Sequence, residues 1–513
     1  MRYINSKNIL FFLVSAMAAL VLAACFTGYT GGSGTLVISV GGHGNSRAML
    51  DIDAELASIE HEIILRGPGG TITKTFKGAA TATIELSAGS WDVTVRAVGN
   101  TPIEYNQEPF APASDNDGTF PPRMLRALGW DTVDIKAGQS SNAKISMAGA
   151  TEVSNADQLR RALERADEAG EELILVSGNI TVPYIPGFAG FYVDPGISVT
   201  LMADEDAAIT QDPSYIGTLI KVNGGTLRLG RPGMRGQLAI DGGGSSSIMV
   251  EVLSDGQLIM NDGVTLRNGG CGVRVSGDYV SGTDYPGTFI MNGGYITGNI
   301  AYEGGGVYVD SYGIFNMFGG SIVGNTADYG GGVYHYDGEV VMTGGTISGN
   351  YAIQSVLNSG GNGGGVYTKG SMYGFTASES ALISGNNAAN DGGGVYIDQG
   401  NFTLTDSASI TGNTAGRNGG GLCGTNGYFY MDGGKITGNT AGDRGGGVYY
   451  NYAGNYGSVD GGEISGNLAH GLTNPNNPGG GVWGMNFPNE LTQEDIDSIV
   501  HGNTPDDCAN IPP

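Results

Sequence analysis

The feature that most constrains the fold of this chain is a short repeat in its second half. The tetrapeptide I-x-G-N occurs seven times, and most successive copies lie 25 to 28 residues apart. The copies span residues 296–299, 322–325, 347–350, 383–386, 410–413, 436–439 and 464–467. A unit this short cannot enclose a core of its own, so it must bury its apolar residues against neighbouring units.

Two further motifs accompany the repeat. G-G-G followed by an aliphatic residue lies between successive copies and after the last one, and M-x-G-G precedes several copies. The aliphatic residues are Val307, Val333, Val366, Val395, Leu422, Val448 and Val482, and the methionines are Met291, Met317, Met342 and Met431, with Val459 as a variant. Together the three motifs predict three short strands per unit, separated by glycine turns.

Stacked units of this kind predict a parallel β-helix. Each strand would pair with the same strand one coil away, about 4.8 Å distant, and the Ile, Val and Met residues would form three internal ladders. We expect Ile383 and Val395 to be buried, and Asn386 to be hydrogen-bonded in a stack of asparagines. Triple glycine in every unit excludes an α-solenoid, and a β-propeller needs about 40 residues per blade.

Residues 322–334, with the sequence IVGNTADYGGGVY, resemble the repeats of chlamydial polymorphic outer membrane proteins, which pair F-x-x-N with G-G-A-[ILV]. This chain has I-x-G-N and G-G-G-V instead, so the resemblance is to the type of repeat. More broadly, residues 151–503 resemble the right-handed parallel β-helices of the pectin lyase-like superfamily. The resemblance implies an all-β chain with a right-handed solenoid that begins with a capping helix.

That helix is predicted at residues 155–170, followed at once by a strand. Asn155 can cap it, with Gln158 reaching back as in a capping box, and Gly170 would end it. Its apolar stripe consists of Leu159, Ala162, Leu163 and Ala166.

Residues 35–150 alternate with a period of two and predict a small antiparallel β-sandwich before the solenoid. The predicted strands are 35–40, 62–65, 71–76, 81–86, 91–98, 132–135 and 143–147. Residues 86–95, LSAGSWDVTV, resemble a hairpin of the immunoglobulin-like and transthyretin-like modules of bacterial lipoproteins. Residues 504–513 are predicted to be a C-terminal tail.

The N-terminus has the pattern of a secretory signal over residues 1–24. Leu22-Ala23-Ala24-Cys25 resembles the bacterial lipobox, in which the signal is cut before the cysteine and that cysteine is diacylated. We therefore expect lipidation of Cys25, a flexible tether over 25–34, and stable anchoring through two acyl chains. Phe26 is not the aspartate that retains enteric lipoproteins in the inner membrane. This predicts the outer membrane, with exposure at the cell surface left open.

The residue after each G-G-G-V motif is predicted to face outward, because side chains alternate along a strand. Aromatic residues occupy this place in six coils and Cys423 in another; the aromatic residues are Tyr308, Tyr334, Tyr367, Tyr396, Tyr449 and Trp483. An exposed row of rings suits sugar faces, aromatic partners or cations. The alternative is that stacking of the rings only stabilises the ladder. We take these six residues as a candidate ligand-binding row.

Two long insertions, 351–362 and 468–478, follow the I-x-G-N motif at the same place in two coils. Both are predicted to protrude on one side of the solenoid and to flank Tyr367 and Trp483. Loops that share one edge of a solenoid often build its binding surface. Insertions into surface turns are also well tolerated, so both loops could equally be decoration.

Little in the motif-bearing coils points to catalysis or to a cofactor. Cys271, Cys423 and Cys508 have neither disulfide nor metal-site spacing, and His501 with Asp506 and Asp507 lies in one ragged stretch rather than on neighbouring coils. We expect no catalytic residue, no metal and no cofactor in those coils. The less regular coils before residue 290 leave an active site open; their ionisable residues include Asp204, Glu205, Asp206, Arg228, Arg231, Arg235 and Asp241.

The charge balance limits the choice of partner. The chain has 24 Lys and Arg against 50 Asp and Glu, a formal net charge of −26, which argues against nucleic acid. The predicted function is that of a monomeric, lipid-anchored adhesin or binding scaffold of the cell envelope, with carbohydrate or a host or envelope protein as partner. Two alternatives stay open: a polysaccharide lyase or glycoside hydrolase on the same fold, and a purely structural surface component.

Overall fold

The protein is described by a computed structural model that covers residues 33–40, 59–77, 81–99, 124–145, 147–166, 171–184, 188, 190–355, 360–370, 372–451, 457–471, 479–484, 497–504 and 508–509. Strands make up 58% of the chain and helix 3%, which confirms the all-β class. The predicted signal, Cys25 and most of the tether lie outside the described residues. Within the described ranges, no helix has the length and apolar character needed to cross a bilayer.

The N-terminal strands form a two-sheet sandwich. They are β1 (Ser33–Val40), β2 (Glu60–Gly67), β3 (Gly70–Lys77), β4 (Thr81–Ser87), β5 (Gly89–Gly99), β6 (Met124–Ile135) and β7 (Ser140–Ile145). One sheet has the order β4-β1-β7, and in the other β2 and β5 lie between β3 and β6. Their inner faces share one core, with Trp91 fully buried at its centre. The predicted sandwich is confirmed.

Two details of the sandwich differ from the sequence interpretation. The sheets are not purely antiparallel, because β1 pairs with β7 in parallel. Residues 86–95 do not form a hairpin either, since β4 pairs with β1 whereas β5 pairs with β2 and β6. The Ala-Gly pair at 88–89 therefore carries the chain from one sheet to the other. Gly89 adopts φ 137°, a backbone conformation that favours glycine at this corner.

A single strand joins the sandwich to the solenoid. Strand β8 (Ala148–Val153) pairs antiparallel with β6 and parallel with Glu171–Val176, the first strand of the solenoid. Arg96 of the sandwich lies at this junction, where it donates to Glu152 at 2.6 Å and lies 3.9 Å from Asp204. The two sheets are thus continuous through shared backbone hydrogen bonds.

Helix α1 (Ala156–Arg165) caps the open end of the solenoid. Asn155 accepts a hydrogen bond from the Gln158 backbone at 2.9 Å, as predicted, but the Gln158 side chain accepts from the Ser154 N–H, one residue earlier than in a capping box. The predicted apolar stripe is buried over the first coils. The helix ends at Arg165 rather than at Gly170, because Ala166 takes an extended ψ of 134°.

The solenoid has about ten turns, and each complete turn carries up to four strands that stack in separate columns. We name the columns the Met, Ile, short and Val sheets, after their inward residues or their length. The Met sheet contains Glu171–Val176, Ser198–Met202, Thr226–Leu229, Gln257–Met260, Thr288–Met291, Ile314–Met317, Glu339–Met342 and Phe375–Ala377. The Ile sheet contains Asn179–Val182, Ala207–Gln211, Leu238–Asp241, Val264–Arg267, Tyr295–Thr297, Ser321–Val323, Thr346–Ser348, Leu382–Ser384 and Val500–His501.

In three later coils one long strand serves both the Met and Ile sheets: Asn401–Thr411, Tyr428–Thr437 and Gly457–Ser465. The short sheet contains Thr326–Ala327, Tyr351–Ala352, Asn387–Ala388, Thr414–Ala415, Thr440–Ala441 and Leu468–Ala469. The Val sheet contains Phe191–Val193, Thr218–Val222, Ile248–Val252, Cys271–Val275, Val307–Val309, Val333–Tyr336, Val366–Lys369, Val395–Asp398, Leu422–Gly424, Val448–Tyr450, Val482–Trp483 and Cys508–Ala509. A small hairpin, Asp278–Val280 with Thr283–Tyr285, follows the fourth strand of the Val sheet.

The predicted internal ladders are confirmed and are longer than the repeat indicated. The seven Ile residues of I-x-G-N pair in one unbroken column, and this column continues backward through Ile240 and Ile209 to Ile180. Ile383 and Val395 are buried as expected. A further ladder of phenylalanines lies two residues before the Met positions, and its rings at Phe289 and Phe315 stack 4.8 Å apart.

The asparagine stack is also confirmed. Asn386 donates its backbone N–H and its Nδ2 to Oδ1 of Asn413, at 2.9 and 3.0 Å, and Nδ2 also donates to the Ile347 carbonyl. The same pattern runs from Asn299 to Asn503, which adds one coil that lacks the motif's isoleucine. Because the members from Asn299 to Asn467 are fully buried and hydrogen-bonded, the stack fixes the turn after each Ile strand.

Candidate binding face of the Val sheet

The outward column of the Val sheet is built by strand alternation. Val307 and Val309 point into the core, so Tyr308 between them points outward, and the parallel register repeats this in each coil. The six predicted aromatic residues and Cys423 therefore fall in one column, with pairs Tyr334–Tyr367, Tyr367–Tyr396 and Tyr449–Trp483 directly opposite each other. The sequence prediction of a single row is correct.

The rings of this row stack on one another. The centroids of Tyr334 and Tyr367 lie 5.2 Å apart with planes at 10°, and those of Tyr367 and Tyr396 lie 5.1 Å apart at 20°. Tyr449 and Trp483 stack at 4.7 Å. Cys423 interrupts the row between Tyr396 and Tyr449. The stacking contacts that the structural interpretation required are therefore present.

The row is not the open platform that an exposed set of rings would form. Tyr334, Tyr367 and Tyr449 are only 4, 5 and 7% exposed, and Tyr308, Tyr396 and Trp483 are intermediate. Ring faces cover each other, and a second column of residues lies beside the row and contacts some of its rings. This column, which we call the wall, consists of the residues before the first six triple glycines: Glu303, Tyr329, Asn362, Asp391, Asn418 and Arg444.

Wall residues contact the rings directly. Tyr329 meets Tyr367 edge-on at 5.2 Å, and the Arg444 guanidinium lies 5.1 Å from the Trp483 ring centroid. The wall was not predicted, although its residues occupy one fixed place before G-G-G. Its effect is to leave ring edges and hydroxyls, rather than ring faces, at the surface.

The tyrosine hydroxyls of the row are donors rather than bases. The Tyr367 hydroxyl donates to Asp398 at 2.9 Å. Burial, and then the negative charge of Asp398, raise the pKa of Tyr367 far above its ordinary value. Burial and the nearby Glu303 do the same to the pKa of Tyr334. Both hydroxyls stay protonated at any physiological pH, so neither can accept a substrate proton.

Toward the N-terminus the same outward column is charged. Tyr192, Lys221, Glu251 and Arg274 occupy successive coils before Tyr308. Lys221 lies 3.8 Å from Glu251, which also accepts from Thr218 at 3.0 Å, and Arg274 donates to Asp310 at 2.6 Å. Burial lowers the pKa of Arg274, but the hydrogen bond and charge of Asp310 outweigh it and the net shift is upward. Four ionisable residues thus meet on one sheet face before and beside the aromatic row.

The other ionisable residues of the early coils serve different contacts. Arg231 stacks on the Trp130 ring of the sandwich at 3.6 Å, and Arg235 pairs with Asp92 there. Arg228 pairs with Glu171, and Asp241 accepts from Arg267 at 2.7 Å. They are distributed over the junction and the turns, so they form no cluster with the charged column.

The cysteines and the central histidine belong to the packing of the solenoid. Cys271 and Cys423 are buried free thiols, and burial raises the pKa of Cys271 to about 12. His335 is buried between Thr368 and the Gly338 carbonyl, and burial lowers its pKa, which favours the neutral ring. Within the described residues, no group of three or more His, Cys, Asp or Glu side chains is placed to hold a metal ion.

Both insertions leave the short sheet at the same place. The first two residues of each predicted insertion, Tyr351–Ala352 and Leu468–Ala469, are strands of that one sheet, and the added residues follow them. Residues 356–359 and 472–478 lie outside the described part. The described end of the first insertion returns beside the wall, where Gly361 donates to the Asp328 carbonyl at 2.7 Å.

An exposed apolar patch adjoins the first insertion. Its members, on and beside the short sheet, are Ile300 (66% exposed), Tyr302 (54%), Tyr351 (50%) and Ile353 (44%). Tyr302 meets the wall residue Tyr329 edge-on at 5.7 Å, and Tyr329 meets Tyr367. A chain of rings therefore connects this insertion-edge patch to the buried row. The sequence analysis placed the insertions but missed this patch.

No family model, curated protein or solved structure matches this chain. The residues themselves must therefore carry the functional argument.

Proposed function

We propose that this protein is a lipid-anchored binding scaffold of a bacterial cell envelope, with the insertion-edge patch as its main contact surface. The observation that carries the proposal is the exposure of Ile300, Tyr302, Tyr351 and Ile353 on one edge of a rigid solenoid. Ile300 and Tyr351 lie two coils apart in one column, with Thr326 between them, and exposed apolar side chains grouped on one face are typical of interaction sites. Tyrosine suits such sites because its ring is apolar and its hydroxyl stays wet.

The patch and the aromatic row have different roles in this proposal. The row of Tyr308, Tyr334, Tyr367, Tyr396, Tyr449 and Trp483 holds the Val sheet rigid and offers only ring edges and hydroxyls. The patch offers side-chain area, and the insertion beside it offers backbone and polar groups. The expected partner is a carbohydrate or a host or envelope protein.

The experiment is a glycan and matrix-protein array, followed by variants of the patch. Tyr351→Ser combined with Ile300→Ser should lower the affinity for the captured partner at least about tenfold, as loss of a central contact does. Tyr430→Ser is the matched control, because Tyr430 is also exposed (42%) but lies on a Met-sheet strand. Shortening 351–362 to four residues should preserve folding and abolish binding. Equal binding by all variants would place the contact surface elsewhere.

The anchor rests on the sequence L-A-A-C at 22–25, and repeats that resemble those of chlamydial polymorphic outer membrane proteins are consistent with an exported protein. We propose acylation of Cys25 and an outer-membrane location. Cys25→Ala should yield a soluble or unprocessed protein. Normal processing and unchanged partition into the detergent phase would contradict the anchor.

A second candidate function is a polysaccharide lyase or hydrolase, and the charged column favours it. Lys221, Glu251, Arg274 and Asp310 combine two carboxylates with two cationic side chains on neighbouring coils, so a carboxylate could act as the acid or base while the cations bind the carboxylates of a polyuronate. An assay on pectins and other uronates should include Glu251→Gln. Turnover by the wild type that this variant lacks would establish the enzyme; absence of turnover in both leaves the scaffold as the better account.

A further inference from the structure

A small hairpin breaks the regularity of the solenoid after its fourth turn. Its strands, Asp278–Val280 and Thr283–Tyr285, pair antiparallel around a tight turn at Ser281 and Gly282, both with positive φ. The base is tied down by backbone hydrogen bonds from Gly277 to Ser311 and from Gly287 to Ser276. Ser254 also donates to Asp278. The hairpin is thus a fixed projection from the turn between the Val and Met sheets.

One face of the hairpin leans over the next three coils. Tyr279 and Asp284 lie opposite each other on this face. The Tyr279 ring stacks on Tyr312, 5.8 Å away at 12°, and Asp284 accepts from the Tyr373 hydroxyl at 3.4 Å. Tyr312 and Tyr373 occupy the same turn in later coils, so residues far apart in sequence meet here.

Beside this face lies a cavity of about 200 Å³ that is partly open to solvent. It is lined by Asp284, Pro286, Tyr312, Gly313, Ile314, Glu339 and Tyr373. Its lining contains two aromatic rings and two carboxylates and, among the described residues, no lysine or arginine. A cavity of this size is smaller than the roughly 300–1,000 Å³ of drug-sized ligand sites, so it suits one small group.

We propose that this hairpin cavity binds an organic cation, namely an alkylammonium group. Ring faces attract cations through their quadrupoles, and the carboxylates of Asp284 and Glu339 supply the opposite charge. A chain with a net charge of −26 also concentrates cations near its surface. A hard metal ion is a poorer match, because Ca²⁺ takes six to eight oxygen ligands, whereas two carboxylates line the cavity.

This proposal does not rest on the proposed scaffold function. The hairpin cavity lies at the turn between the Val and Met sheets, whereas the insertion-edge patch lies between the short and Val sheets. The two sites can therefore succeed or fail independently.

The test is titration of the full-length protein with choline and with its uncharged tert-butyl analogue, followed by calorimetry or NMR. Choline should bind saturably and the analogue should not. Tyr373→Leu should weaken choline binding about tenfold, while Tyr373→Phe, which keeps the ring, should stay within about twofold of the wild type. Asp284→Asn and Glu339→Gln should each weaken binding by about threefold to tenfold.

Glu379→Gln is the matched charge control, because Glu379 is an exposed carboxylate in a different turn and its loss changes the net charge equally. It should leave choline affinity unchanged. Thermal unfolding of each variant distinguishes a lost site from a lost fold. The proposal is overturned if the uncharged analogue binds as well as choline, if choline does not bind, or if folded Tyr373→Leu and Asp284→Asn variants bind like the wild type.

Discussion

In the early coils, between Glu171 and Met291, the outward column of the Val sheet carries Lys221, Glu251 and Arg274, whereas in the late coils, from Tyr295 onward, it carries stacked aromatic rings. The late coils also have the short sheet and the asparagine stack, which start at Thr326 and Asn299. The inward column of the Ile sheet runs through both regions, with Leu266 in place of isoleucine in one early coil.

The difference lies in how each region makes its turn. In the late coils, glycine precedes the stacked asparagine, as Gly298 precedes Asn299, and takes a φ of 66°. In the early coil the equivalent place is held by Asn268, whose φ is 58° and whose side chain donates to Asp241 instead. Apolar side chains that point inward at alternate positions therefore suffice to form a coil, and the I-x-G-N motif adds a regular buried turn.

Four predictions test this comparison, from the largest effect to the smallest.

The asparagine stack should be the costliest feature to break. Asn386→Ala removes the acceptor for both the backbone N–H and the Nδ2 of Asn350. Leaving two buried donors unsatisfied should lower the free energy of unfolding by about 4 kcal/mol, measured by urea denaturation. The adjacent Asn387→Ala is the control, because Asn387 is exposed, and it should change stability by less than about 0.5 kcal/mol. If Asn386→Ala lowered the free energy of unfolding as little as Asn387→Ala does, the asparagine stack would contribute little to stability.

The inward ladder should matter equally in both regions. Ile383→Ala in a late coil and Ile209→Ala in an early coil each leave a cavity at a fully buried site. Each should cost about 2–5 kcal/mol by the same measurement. A much smaller loss for Ile209→Ala would show that the early coils are loosely packed, and the comparison would then extend to the core.

The outward residues of the Val sheet should contribute more to the free energy of unfolding in the aromatic late coils than in the charged early coils. Tyr367→Leu removes a ring that stacks on two neighbours and contacts Tyr329, and should cost about 2 kcal/mol. Lys221→Met at the corresponding place in an early coil should cost at most about 1 kcal/mol, because its ion pair with Glu251 is partly solvated. Thermal or chemical unfolding of both variants would measure the difference, and equal losses would contradict it.

The smallest expected effect is on how the free energy of unfolding depends on pH, which should have opposite signs at Asp241 in the early coils and Asp391 in the late coils. At Asp241, burial raises the pKa, but hydrogen bonds from Gly243, Arg267 and Asn268 outweigh it and the pKa is lowered. The Asp241 carboxylate therefore stabilises the folded state at pH values above its unfolded-state pKa of about 3.9. This stabilisation is lost as the pH falls through the lower pKa of Asp241 in the folded state. At Asp391, burial raises the pKa, so the folded state is disfavoured as pH rises through that value.

Unfolding free energies measured across the acid range should separate the two. Asp241→Asn should lose stability at neutral pH relative to the wild type, and the loss should shrink in acid. Asp391→Asn removes a carboxylate that burial disfavours in its charged form, so losing that charge should not lower the free energy of unfolding at neutral pH. Parallel pH profiles for wild type and Asp241→Asn would rule out a contribution from the Asp241 carboxylate.

Much of the late solenoid could be predicted from sequence, because its motifs recur at fixed spacing and each motif has one physical use. Ile383, Val395, Asn386 and the single column of aromatic residues all lie where the spacing predicts. The early coils were harder to assign because Leu266 and Asn268 stand where the motif has Ile and Gly. The hairpin could have been predicted from the spacing of the motifs. Val307 and Met317 are ten residues apart, whereas Val273 and Met291 are eighteen apart, which indicates an insertion between the Val and Met strands of that coil.

By itself, the sequence determined the repeat, its strands and the inward ladders, since periodic apolar residues separated by glycines leave few other ways to bury a core. Only the tertiary structure decided which outward residues are accessible. Tyr367 is predicted to face outward and Tyr351 to begin a protruding insertion, yet Tyr367 is 5% exposed and Tyr351 50% exposed. The reason is that exposure depends on neighbours from other coils, such as Tyr329 beside Tyr367, and stacking brings those neighbours together.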